Sequence, residues 1–70
     1  MKRTPVDSSA IASVGYDPET ATLEIEFTNN LIYRYRRVPA RIHAGLMSAD
    51  SCGQYFNTEI KPTFDYEEIT

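Results

Sequence analysis

A chain of 70 residues has room for one domain, and a domain of this size buries only roughly 60% of the surface its unfolded chain exposes. Its formal net charge of -3 argues against a surface that attracts phosphate on every side, and its single cysteine, Cys52, excludes an internal disulfide. With His43 as the only other soft ligand, no thiolate-held metal is expected, and neither is a small-molecule cofactor.

The first residues, Met1-Lys2-Arg3-Thr4-Pro5, carry charge without an apolar run behind them, and no stretch reaches the roughly 18 apolar residues that a membrane span needs. The expectation is a cytoplasmic protein with no membrane partner. The first five or so residues and the end, Glu67-Glu68-Ile69-Thr70, are expected to be mobile, with an ordered core from about Val6 to Tyr66 and one domain over 1–70.

Ser8-Ser9 suits local turn hydrogen bonds ahead of a strand from Ser9 to Tyr16, whose Ala10, Ala12, Val14 and Tyr16 would share one face. Asp17-Pro18-Glu19-Thr20 then fits a type I turn, with Asp first and Pro presetting φ at the next position. Thr22 to Phe27 alternates strictly, which puts Leu23, Ile25 and Phe27 inside and Glu24 and Glu26 outside.

The connection Thr28-Asn29-Asn30 decides which side of the next strand, Leu31 to Val38, meets the core. If Asn29-Asn30 made a two-residue turn, Ile25 would face Arg34 and Glu26 would face Tyr33, mixing polar and apolar side chains on each face. A three-residue loop ending with Asn30 in the left-handed region pairs Phe27 with Leu31, Ile25 with Tyr33, Leu23 with Tyr35 and Glu24 with Arg34. That register turns Tyr33 and Tyr35 inward, and Arg34 and Arg36 outward near Glu24 and Glu26.

Val38-Pro39 ends the strand, and Pro39 suits the start of a helix whose buried stripe is Ile42, Gly45, Leu46 and Ala49. Ser51-Cys52-Gly53-Gln54 reads as a capping box opening a second helix, with Cys52, Tyr55, Phe56 and Ile60 on its apolar face and Pro62 as its stop. Phe64 and Tyr66 alternate with polar residues, as an extended tail or edge strand would. The fold class is α+β: a three-stranded antiparallel β-meander followed by two short helices packed on one face.

The pattern Ser8-Ser9, Val14-Gly15-Tyr16-Asp17, Tyr33-x-Tyr35, Val38-Pro39 and Ser51-x-Gly53-x-Tyr55-Phe56-Asn57 with Ile60 resembles the KTSC domain, over about Val6 to Tyr66. That family is named for its occurrence at the C-terminus of some lysyl-tRNA synthetases and also exists as free-standing proteins. The resemblance implies a domain with suggested RNA binding and no catalytic residues. Asn30 stands where such domains often have Gly, and Asn tolerates the left-handed backbone there.

Functional candidates follow from charge placement. No acidic residue falls between Thr28 and Ala49, where Arg34, Arg36, Arg37 and Arg41 cluster, and Lys2, Arg3 and Lys61 would extend a basic patch if the ends fold nearby. Guanidinium groups bind phosphates and stack on unpaired bases, so RNA or tRNA is the leading partner. Against it stands a solvated face neutralised by Glu24 and Glu26. A protein partner or homo-oligomer, docked at a free strand edge or exposed helix, is the alternative.

Tyr33, Tyr35, Tyr55, Phe56, Phe64 and Tyr66 fit a core better than a stacking platform, while Tyr16, beside a turn, is the aromatic expected to be exposed. Cys52 in a helix's first turn and His43 are the one pair that suggests nucleophilic chemistry, but no carboxylate is placed to orient them, and no enzyme is expected. His43 reads as a surface residue adding pH-dependent charge. Asn57, polar within a helix, is open to a partner.

Overall fold

The computed structural model describes residues 2–69, so Met1 and Thr70, both within the ends expected to be mobile, lie outside the described residues. The chain is α+β, but its antiparallel sheet has five strands in sequential order where three were expected. They are β1 Arg3–Pro5, β2 Ile11–Asp17, β3 Thr22–Phe27, β4 Ile32–Tyr35 and β5 Tyr66–Glu68. Helix α1, Ala40–Ser48, and helix α2, Cys52–Tyr55, follow β4, and α2 runs on into a π-helical segment, Phe56–Ile60.

Arg3–Pro5 and Glu67-Glu68, within the ends expected to be mobile, belong to the two edge strands. β1 pairs with β2 through Arg3 with Gly15 and Pro5 with Ser13, and β5 pairs with β4 through Tyr35 with Tyr66 and Arg34 with Glu67. Proline cannot donate to a ladder, so Pro5 fits only where one side of the strand has no neighbour.

At the centre the expected register holds. Leu23 faces Tyr35, Glu24 faces Arg34 and Ile25 faces Tyr33. Phe27 and Leu31 close the loop, with the Phe27 amide donating to the Leu31 carbonyl at 2.8 Å and Asn30 at φ 72°. β2 departs from its expected phase. A bulge between Ile11 and Ser13 inserts Ala12, so Ile11 and Val14 both turn inward, opposite Phe27 and Ile25, and the expected run of Ala10, Ala12 and Val14 on one face is broken. Ile11 is fully buried as a result. The Ser8 hydroxyl starts this strand by accepting from the Ala10 and Ile11 amides.

The inner sheet face packs under the helices, with Ile11, Val14, Leu23, Ile25 and Tyr35 meeting Ile42, Leu46, Phe56 and Ile60. Each large apolar side chain removed from water there contributes about 1.5–3 kcal/mol. Of the stripe expected on α1, Ile42 and Leu46 are buried, Gly45 is half-buried, and Ala49 lies beyond the helix at its C-cap. Gly45 of α1 lies directly against the Tyr55 ring of α2: a Cβ there would fall 2.7 Å from Cζ of Tyr55.

Ser51 caps α2 as expected, accepting from the Gln54 amide at 3.2 Å. The widening into a π-helical segment precedes Pro62, whose ring clashes with the carbonyl four residues back in a regular α-helix. The Lys61 amide donates instead to Phe56, five residues back. No helix among the described residues is long and apolar enough to cross a membrane.

Candidate nucleic-acid interface

The outer sheet face carries a transverse row one residue wide. Arg3 on β1 faces Gly15 on β2, Gly15 faces Glu24 on β3, Glu24 faces Arg34 on β4, and Arg34 faces Glu67 on β5. Register partners in an antiparallel sheet share a face, so these side chains lie in one line across it. Gly15 offers no side chain, and across it Arg3 reaches Glu24 at 2.9 Å. Arg34 reaches the other oxygen of the same carboxylate at 3.3 Å. Glu24 is thus largely covered, with 12% of its side chain exposed against 41% for Arg34.

Arg36 lies further along the same face and pairs with Glu67 at 2.6 Å. It was expected near Glu26, and β5 is the reason for the difference: the tail, expected as an extended segment or edge strand, pairs with β4 and sets Glu67 beside it, while Glu26 accepts a hydrogen bond from the Ser13 hydroxyl at 2.9 Å. Carboxylates interleave with the guanidinium groups of Arg3, Arg34 and Arg36.

The other two candidates stand apart from that ladder. Arg37 is exposed at φ 59° in the turn that leaves β4, and the next residue is tied down by the Val38 amide donating to the Ala21 carbonyl at 2.8 Å. Arg41 is exposed in the first turn of α1. That helix starts at Pro39 without a side-chain cap or an acidic residue in its first turn. Neither arginine has an ion-pair partner among the described residues. A helix start left uncapped beside two free guanidinium groups favours an anion. Lys2 and Lys61 are also exposed, while Arg3 is taken up by Glu24.

The aromatic residues do not form an open platform on the arginine face. Tyr35 is 1% exposed and its phenol is pushed up to about 12 by burial first, then by the neighbouring Tyr66 and Tyr33. Tyr16, expected to be exposed, is half-buried: its hydroxyl donates to the Val38 carbonyl at 2.6 Å and its ring stacks on His43 with centroids 4.7 Å apart. His43 is therefore no simple surface charge, because burial lowers its pKa and holds it neutral further into the acid range. The Cys52 thiol donates to the Leu46 carbonyl at 3.3 Å, and burial pushes it up, away from the thiolate a nucleophile needs.

Sequence reasoning missed two features. Among the described residues Tyr66 is the large apolar side chain most open to water, at 56% exposure. It stands at a groove of about 630 Å³ between the β3–β4 end of the sheet and the second helical segment, with Phe27, Tyr33, Phe56, Asn57 and Lys61 among its walls. The alternation of Phe64 and Tyr66 hinted at a strand there but carried no sign of the groove.

Fold and surface together define a small α+β domain built on a five-stranded antiparallel meander, with an ion-paired outer face, a cationic helix start and an aromatic groove. The chain belongs to the KTSC domain family, whose profile matches residues 7–64. A crystal structure of a KTSC domain protein from Yersinia pestis superposes with a TM-score of 0.96 at 45% identity, covering 99% of this chain and 97% of that one. A protein of Stutzerimonas stutzeri is 47% identical over 62 residues, which is 89% of this chain and 87% of the relative. A lysine–tRNA ligase of Nostoc sp. is 41% identical over 64 residues; these cover 91% of this chain but only 11% of the ligase.

Proposed function

We propose that this domain is a non-catalytic cytoplasmic binding module for RNA, tRNA included, and that Arg37 and Arg41 make its main phosphate contacts. The observation that carries the reading is the pair of exposed guanidinium groups without carboxylate partners, set at an uncapped helix start. Arg34 and Arg36 contribute in a second tier, because a phosphate must first displace Glu24 or Glu67 from them. Displacement is easiest at Arg36, since exposed ion pairs contribute only about 0–1 kcal/mol. Similarity to a segment of a lysine–tRNA ligase supports an RNA partner.

The sheet edges favour this reading over a protein added as an extra strand. Both edge strands are three residues long, one carrying Pro5 and the other Glu67 and Glu68, and short, charged or proline-bearing edges discourage such pairing.

The test is binding of the purified protein to tRNA and to single-stranded RNA across a salt series, with two double variants. Arg37→Asn keeps a residue that tolerates the left-handed backbone, and with Arg41→Gln it removes both free charges. The expected result is a log–log salt slope shallower by about 1.5, against less than half that change for Arg34→Gln with Arg36→Gln. No binding of either RNA at low salt overturns the proposal, and equal losses in the two doubles overturn the ranking.

A further inference from the structure

The aromatic groove is unexplained by packing alone. Its floor is a set of rings already locked together: Phe27 lies edge-on to both Tyr33 and Phe56 at 5.4 Å, and Tyr33 stacks on Tyr66 at 5.0 Å with the planes 28° apart. Tyr66 also lies tilted against Tyr35 at 5.4 Å, yet more than half of the residue remains exposed, and it lines the groove. The rim is polar. Ser9, Asn29 and Asn57 are exposed there, as is the Lys61 ammonium, which has no carboxylate partner among the described residues. The Asn29 side-chain Oδ1 already accepts from the Leu31 amide at 3.2 Å, which fixes the side chain and leaves its NH₂ to donate outward.

Core packing accounts for Phe56, which is buried, but not for Asn57 beside it. That residue spends an exposed position of a helical segment on a poor helix former. Rings for a flat apolar body, amides for hydrogen bonds at its edge and one free cation at the rim describe a planar heterocycle with an attached anion. At about 630 Å³ the groove is within the range of ligand sites.

We infer that this groove takes one unstacked nucleobase of a single-stranded RNA, laid against Tyr66, with the amides of Asn29 and Asn57 at its edge and the adjoining phosphate on Lys61. The inference rests on the RNA-binding reading above and adds to it a preference for single strands, since a base inside a duplex cannot reach the rings. Phosphate contacts at Arg37 and Arg41 alone carry no such preference.

The test is a titration of the isotope-labelled full chain, followed by amide shifts, with a six-nucleotide oligoribonucleotide, the same oligomer lacking one base, and a duplex RNA. Tyr66→Leu keeps apolar cover on the strand and removes the ring face; Asn57→Ala and Lys61→Gln change exposed side chains only. Thermal melting checks that each variant folds. The expected result is shifts at Asn29, Asn57, Lys61 and Tyr66 with the single strand and not with the duplex, a loss of about tenfold in single-strand affinity for Tyr66→Leu, and a salt slope lower by about one for Lys61→Gln.

Single-strand binding that moves only Arg37 and Arg41, or that Tyr66→Leu leaves intact, overturns the groove while the RNA reading stands. Absence of binding to any of the three RNAs removes the RNA reading itself. Shifts at the groove that follow protein concentration without RNA point to a second copy of the chain as occupant and overturn the inference.

Discussion

Arg3 and Glu24, 21 residues apart in sequence and two strands apart in the sheet, are joined at 2.9 Å across Gly15. Their pairing adds to the short ladder of β1 and to the packing of Val6 on the core, since three residues ending in proline bring little backbone bonding, and a charge-assisted contact to a largely covered carboxylate adds about 1 kcal/mol. The same carboxylate holds Arg34, so one acid restrains two cations of the outer face.

Glu24→Gln is accordingly expected to act in two directions. Stability falls by about 1 kcal/mol as both ion pairs weaken, and Arg3 and Arg34 become available to phosphate. Denaturant melting reads the first effect. The second appears as RNA binding tighter than wild type at low salt, with a steeper salt dependence.

Gly45→Ala should destabilise the domain even though alanine is the better helix former by about 1 kcal/mol. The added methyl runs into the Tyr55 ring, and the ring must move or the helices part. A net loss of about 1–2 kcal/mol is expected. In a Tyr55→Leu background the same substitution becomes neutral or favourable, and a double-mutant cycle measures the coupling.

Alkaline pH is expected to unfold the domain earlier than its backbone requires. Tyr35 titrates at about 12 when folded and at 10.0 in the unfolded chain, so the folded state favours the neutral phenol. Its contribution is present in full below pH 10 and is lost as pH rises towards 12, amounting to about 2–3 kcal/mol. Tyr35→Phe should flatten stability against pH in that window.

At the acid end the sign reverses. His43 is held neutral by burial against Tyr16, so the unfolded chain binds its proton more readily. Stability is retained above the ordinary value of 6.5 and drops as pH falls below it. His43→Phe, which keeps a ring against Tyr16, should remove that drop.

Local pattern made the middle of the fold legible. Thr22 to Phe27 alternates without a break, and a single loop-length argument at Asn29-Asn30 set the register of β4, because slipping by one residue sets arginine against isoleucine. Arg3-Thr4-Pro5 and Glu67-Glu68, expected to be mobile, are instead parts of edge strands, because a longer neighbour offers each a ladder; of β5 only the alternation of Phe64 and Tyr66 showed in the sequence. The bulge at Ala12 escaped for a related reason: one inserted residue breaks a period of two at a point chosen by the core, which has a place for Ile11.

The arginine cluster was plain in the chain, and its division was not. Arg34 and Arg36 meet Glu24 and Glu67, whereas Arg37 and Arg41 meet no acid among the described residues. Glu24 reaches Arg34 from the neighbouring strand of the same hairpin, whereas Glu67 reaches Arg36 only because the far end of the chain returns as β5. Composition and periodicity alone determined that this is one small α+β domain with its apolar strand faces under two helices, since period-two burial is a property of neighbours in sequence. Tertiary structure alone decided which charges are free and that an aromatic groove exists, because ion pairs and clefts are made by side chains that meet only after the edge strands and helices have docked.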